Sequence, residues 1–184
     1  MSTASDGVVP DTKDWTWVLE RPCPECGFDP AAQAIGDLPA LVHDTAMTWS
    51  EVLARPSVRQ RPAPGVWSDL EYGCHVRDVH RLFAQRLRLM LDEDVPTFAN
   101  WDQDATALES DYPSQDPAAV AVELIEAAGT VAGTYATVTE ATRGRRGLRS
   151  NGSEFTVETL GTYHLHDVVH HLHDVHAGQA WTRS

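Results

Sequence analysis

Tyr163-His-Leu-His-Asp-Val-Val-His-His-Leu-His-Asp-Val-His176 gathers six of the chain's nine histidines into thirteen residues. From Phe155 to about His176, Leu160, Leu165, Val168, Val169, Leu172 and Val175 recur at helical spacing, so the histidines are carried by an amphipathic helix. His166 and His170 lie four apart and project from one face about one turn apart, the spacing at which two imidazoles bind one metal ion from a single helix. Asp167 and His171 form a second pair four apart, rotated by one residue. Both pairs border the apolar stripe, and a helical wheel does not choose between them. A bare His-x-x-x-His on a helix is more often surface or core histidine than a ligand. The density of imidazole here favours metal.

Two side chains leave a divalent ion under-coordinated, so a third donor is expected from a facing helix. Upstream, Pro56, Pro62 and Pro64 break the chain, and Ser68 with Glu71 three places later is the capping-box signature of a helix start. Val76, Val79, Leu82, Phe83, Leu87, Met90 and Leu91 then mark an apolar stripe, with Arg77, Arg81, Arg86 and Arg88 between them. His75, in the first turns of this helix, is the natural third ligand; His80 is less favoured. Asp78, Asp167, Asp174 and His171 are candidates for outer partners that orient the ligands, since a liganding imidazole usually gives its other proton to a carboxylate or carbonyl.

Two more helices complete the pattern. Ile35, Leu38, Leu41, Val42, Ala46, Trp49 and Leu53 predict one over about Asp29–Leu53. Asp116-Pro117, a cap followed by a first-turn proline, opens another running to about Thr142. Residues 92–116 are acidic and punctuated by Pro96 and Pro113, but Phe98, Trp101 and Tyr112 can pin them down as a crossover. Gly144, Gly147 and Gly152 surround a basic cluster, Arg143–Arg149, expected to be a solvated loop. The expected fold is therefore all-α: a four-helix bundle with one long crossover connection. A chain of 184 residues suits one domain, which buries roughly 70% of its unfolded surface. The domain is expected over residues 12–184, behind a disordered arm at 1–11.

Composition narrows the partners. With 27 acidic against 14 basic residues, the net charge of -13 argues against nucleic acid. No apolar run approaches the roughly 20 residues that span a bilayer, and Met1-Ser-Thr-Ala-Ser-Asp6 has no leader character, so a cytoplasmic protein without membrane association is expected. Three cysteines, an odd number, fit a reducing compartment. Cys23-Pro-Glu-Cys26 has the look of half a zinc knuckle or a dithiol pair without a second Cys-x-x-Cys to complete it. It is expected to be a turn with reactive potential. Sharing a metal with His43, forming a disulfide, or bridging a dimer through a metal are lesser alternatives, and Cys74 is expected to be packed.

From about Leu38 to Val175 the chain resembles the DinB/YfiT-like superfamily, which includes mycothiol-dependent maleylpyruvate isomerases and related thiol transferases. That pattern is a histidine in the second helix soon after a Trp-Ser or Trp-Thr opening, plus a His or Glu and a His four apart in the fourth helix. Trp67-Ser68, His75, His166 and His170 match it. The resemblance thus implies a catalytic-type centre on those three histidines with positions open to water, holding zinc, or alternatively nickel or iron. It further implies a thiol co-substrate such as mycothiol or bacillithiol, a small-molecule substrate, transferase or isomerase chemistry, and a homodimer formed through bundle faces. The chain departs from the best-known members in Pro22–Gly27 and in ending soon after the fourth helix, which puts maleylpyruvate isomerisation itself in doubt. A metal-dependent hydrolase and a non-catalytic metal-binding bundle are the alternatives.

Overall fold

The computed structural model describes residues 13–176, and the arm expected at residues 1–11 lies outside them. Five helices follow in order: α1 (Leu38–Leu53), α2 (Asp69–Asp92), the short α3 (Gln103–Glu109), α4 (Pro117–Tyr135) and α5 (Val157–Asp174). The four long ones form the bundle. Around it, α4 lies beside α1 and α2, and α5 beside the same two. The ring order is thus α1, α4, α2, α5, and helices joined directly in sequence sit largely across the diagonal.

Helix boundaries follow local chemistry. Ser68 accepts a hydrogen bond from the Glu71 N–H at 3.3 Å, while the Glu71 carboxylate accepts from the Ser68 N–H at 2.8 Å, so the expected capping box fixes where α2 begins. The first helix starts nine residues later than the periodicity predicts. A helix from Asp29 would carry Pro39 in its interior, at the cost of a backbone hydrogen bond and a ring clash, whereas beginning at Leu38 puts this proline in the first turn. Residues Pro30–Ala32 and Ile35–Asp37 form 3-10 turns instead. At its other end the predicted third helix stops at Tyr135, where Thr137 turns its hydroxyl onto the Thr134 carbonyl at 2.7 Å.

The all-α expectation needs one correction. A small sheet closes one side, with β1 (Thr97–Phe98) parallel to β2 (Arg146–Arg149) and β2 antiparallel to β3 (Glu154–Thr156). The basic segment is therefore part strand and not simply a solvated loop. Its positive charge is used at the end of α2, where the Arg145 guanidinium donates to the carbonyls of Met90 at 2.7 Å and Glu93 at 2.6 Å. Gly152, at φ +96°, makes the tight turn between β2 and β3.

The core runs through Val42, Trp49, Leu70, Val76, Val79, Leu87, Leu124, Val131, Leu160, Leu165 and Val168, all fully buried. Gly161 on α5 permits close packing, because a Cβ there would strike the Leu38 side chain of α1. The capping box thus fixes where α2 begins, and Gly161 how closely α5 approaches α1.

Candidate metal centre

Histidine pairs on α2 and α5 meet at two levels of the bundle. At the inner level, His80 Nδ1 lies 3.0 Å from His164 Nε2, and His164 Nδ1 lies 3.1 Å from the Tyr135 hydroxyl. All three side chains are buried, and burial pushes the His164 pKa down to about 4 and that of His80 well below its ordinary value. These are neutral imidazoles in a buried hydrogen-bonded chain that leaves only His80 Nε2 without a partner.

One turn and a half towards the end of the bundle, His75 meets Asp167 and His171. One donor atom from each of the three lies within 4.8 Å of the others. His75 Nε2 is 3.5 Å from Asp167 Oδ1, and His171 Nε2 is 3.7 Å from the same oxygen. These gaps are long for hydrogen bonds. They match the roughly 3.4 Å between neighbouring donors of a tetrahedral ion with bonds of about 2.1 Å. Neither ring nitrogen of the fully buried His75 has a hydrogen-bond partner, nor does Asp167 Oδ1. These three donors could hold a divalent cation.

Outer contacts orient the trio. His171 Nδ1 lies 2.8 Å from Asp174 Oδ2, so Nδ1–H donates to the carboxylate and Nε2 turns its lone pair towards Asp167. Trp101 stacks on the His75 ring at 5.2 Å with an interplanar angle of 11°, and Trp67 leans on it at 5.4 Å. Burial pushes the His75 pKa down, which keeps the ring in its liganding, neutral form. Burial opposes ionisation of Asp167, but the imidazoles of His75 and His171 outweigh it and hold the carboxyl well below the usual range.

The three histidines expected to converge are divided by this geometry. His75 faces Asp167 and His171; His166 and His170, on the adjoining face of α5, lie instead with Cys23 and Cys26. The reason is rotational. A step of one residue turns a helix by about 100°, and the apolar stripe of α5 sets the Asp167 side, not the His166 side, towards α2. Of the outer partners anticipated, Asp174 is in contact with His171. Asp78 is engaged elsewhere, by the Tyr112 hydroxyl at 2.7 Å and the guanidinium of Arg77 at 2.9 Å. Cys74 is buried against Gln115, and burial pushes its thiol up to about 12. Cys26 is shifted likewise, to about 12, chiefly by burial.

A cavity of about 1200 Å³ borders Asp167 and His171 of the trio, though not the buried His75, and also His166 and His170 of the adjoining face. Asp167, His171 and Asp174 border it, with Trp15, Trp67, Trp101 and Tyr163 as aromatic walls and Lys13 and Arg149 as cationic points. Sequence reasoning placed Trp101 only as an anchor of the crossover and did not foresee Trp15 or Arg149 at the site. They reach it by tertiary packing, without a local motif.

Among the described residues, no helix is long and apolar enough to cross a membrane. Comparison with curated proteins finds no match. Among solved structures, YfiT from Bacillus subtilis superposes with a TM-score of 0.70 at 19% sequence identity, over 85% of this chain and 95% of that one. It is described as a probable metal-dependent hydrolase with an unusual four-helix bundle topology. The fold is therefore shared. The sequence model of the DinB superfamily matches residues 41–175, from α1 through the end of α5 and across every residue of the trio, and the chain belongs to that superfamily.

Proposed function

We propose that this protein is a divalent-metal-dependent enzyme working at His75, Asp167 and His171, which transfers or isomerises a small substrate with a low-molecular-weight thiol of the mycothiol or bacillithiol type. The observation that carries this reading is the donor trio itself: the fully buried His75 and the Asp167 Oδ1 that faces it have no hydrogen-bond partner, His171 Nε2 approaches the same oxygen, and the separations of 3.5 and 3.7 Å are those of a coordination shell at the edge of a large cavity. Two neutral imidazoles and one carboxylate suit zinc or nickel, and are also the donor types of mononuclear iron(II) centres. A divalent ion held there supplies a Lewis acid that lowers the pKa of a thiol or water bound to it.

The cavity lining is mostly acidic, with Asp14, Glu25, Asp102, Asp104, Asp167 and Asp174 against Lys13 and Arg149, so an anionic partner would be drawn by the ion and not by the lining. One carboxylate against a divalent charge leaves a net positive centre, which attracts a thiolate. Asp174 keeps the proton on His171 Nδ1 and thus keeps Nε2 available. The aromatic walls and the Lys13 and Arg149 points suit a polar, ring-bearing co-substrate, which stacks on flat faces and hydrogen-bonds at its edges. A second reading, hydrolysis with water as nucleophile, has the description of the Bacillus subtilis structure in its favour.

The test is turnover by untagged, metal-loaded protein on a panel of electrophiles with mycothiol, with bacillithiol and with no thiol, products being read by mass spectrometry. Thiol-dependent turnover that disappears in His75→Ala and His171→Ala supports the transferase. Thiol-independent turnover supports the hydrolase instead. Metal bound at the trio with no turnover in any arm overturns both.

A further inference from the structure

The second face of α5 carries a different donor set. Cys23 and Cys26 come from the turn that follows the 3-10 helix Trp15–Leu19, and His166 and His170 from α5. One ligand atom from each of the four lies within 4.8 Å of the others. Cys23 Sγ is 3.7 Å from His170 Nδ1. Sulfur and nitrogen on one tetrahedral zinc ion, with bonds of about 2.3 and 2.0–2.1 Å, lie about 3.6 Å apart. No disulfide joins the cysteines.

Three features suit this set to an ion. Cys23 is 1% exposed, His166 4% and His170 6%, and His166 Nε2 has no hydrogen-bond partner. The backbone loop is closed around the sulfurs: the Gly27 N–H donates to the Cys23 carbonyl at 2.9 Å, the Cys23 N–H to the Phe28 carbonyl at 2.8 Å, and Gly27 takes φ +75°, which a side chain would strain. Outer carboxylates attend His170, whose Nε2 lies 3.5 Å from Glu25 and 3.9 Å from Asp174.

We infer that Cys23, Cys26, His166 and His170 form a second metal site, a closed Cys2His2 zinc centre that staples the N-terminal segment to α5. The unpaired Cys-x-x-Cys finds its other half on the histidine helix. Two thiolates neutralise a divalent ion, and four protein donors leave no position for substrate, so this site is structural where the trio is open. Zinc binding releases the two thiol protons. The staple has a consequence for the cleft, because Lys13, Asp14, Trp15 and Glu25 from the stapled segment form one of its walls. Trp15 packs edge-on against His170, with ring centroids 4.8 Å apart.

Cobalt(II) titration of the reduced, metal-stripped full-length chain tests this apart from the trio, since only cysteine donors give a thiolate-to-cobalt charge-transfer band. The expected result is one equivalent bound with that band and with intense tetrahedral visible absorption. Both are lost in Cys23→Ser and Cys26→Ser, altered in His166→Ala and His170→Ala, and kept in His75→Ala. A wild-type protein without the band overturns the inference, as does a band unchanged in both His166→Ala and His170→Ala. So does a Cys23–Cys26 disulfide which, once reduced, takes up no metal. Because the wild-type spectrum alone can contradict it, a variant that fails to fold does not protect it.

Discussion

The same two helices present histidine twice, and the two meetings differ in everything but residue type. At the inner level, His80, His164 and Tyr135 exchange hydrogen bonds at 3.0 and 3.1 Å in a buried interior. At the outer level, His75 and His171 meet across a carboxylate at 3.5 and 3.7 Å, beside a cavity. The inner group is packing with its polar atoms mostly paired. The outer one is a set of donors spaced as the ligands of one ion would be. What separates the two levels is not the imidazole but its company: a carboxylate between the rings, an orienting Asp174 and a cavity at the outer level, and ring-to-ring and ring-to-hydroxyl contacts at the inner one.

The largest expected break of this contrast is at the ligands. His75→Ala lowers metal affinity at the trio by more than the about 10–100-fold that loss of an outer partner costs, measured by competition with a chelator. Asp174→Ala removes the acceptor of the His171 Nδ1 proton, and the expected loss is about 10–100-fold with the fold intact. The inner level responds to pH. His164 titrates at about 4 in the folded chain against an ordinary 6.5, so between these values the unfolded chain binds a proton that the folded one does not. Stability therefore falls as the pH is lowered, by about 2 kcal/mol from this residue between pH 7 and pH 5. His80 acts in the same direction. Urea midpoints at the two pH values read the sum. Smallest is Tyr135→Phe, which removes the hydroxyl from His164 and is expected to cost about 1 kcal/mol while leaving metal content unchanged.

Local chemistry made much of the fold legible. The Ser68–Glu71 box, the Asp116-Pro117 start and the apolar periods of α2 and α5 each follow from neighbours a few residues apart. What depended on distant packing was less readable. Pro39 shortened α1, and the basic segment became a strand because β1 and β3 are there to pair with it. The site shows the same division. A helical wheel offered both Asp167 with His171 and His166 with His170, and the choice between them depends on which side of α5 turns to α2. Cys23 lies 147 residues before His170, and no spacing rule connects them. Trp101 and Arg149 were visible in the sequence as an anchor and a loop charge, and became cavity walls only through the crossover and the sheet.

The most direct test of the account is divalent-metal content per chain for untagged protein, comparing wild type with His75→Ala, His171→Ala and His80→Gln. The account predicts that His75→Ala and His171→Ala each lose one equivalent relative to wild type while His80→Gln loses none. Unchanged metal content in His75→Ala and His171→Ala, or an equal loss in His80→Gln, would contradict it.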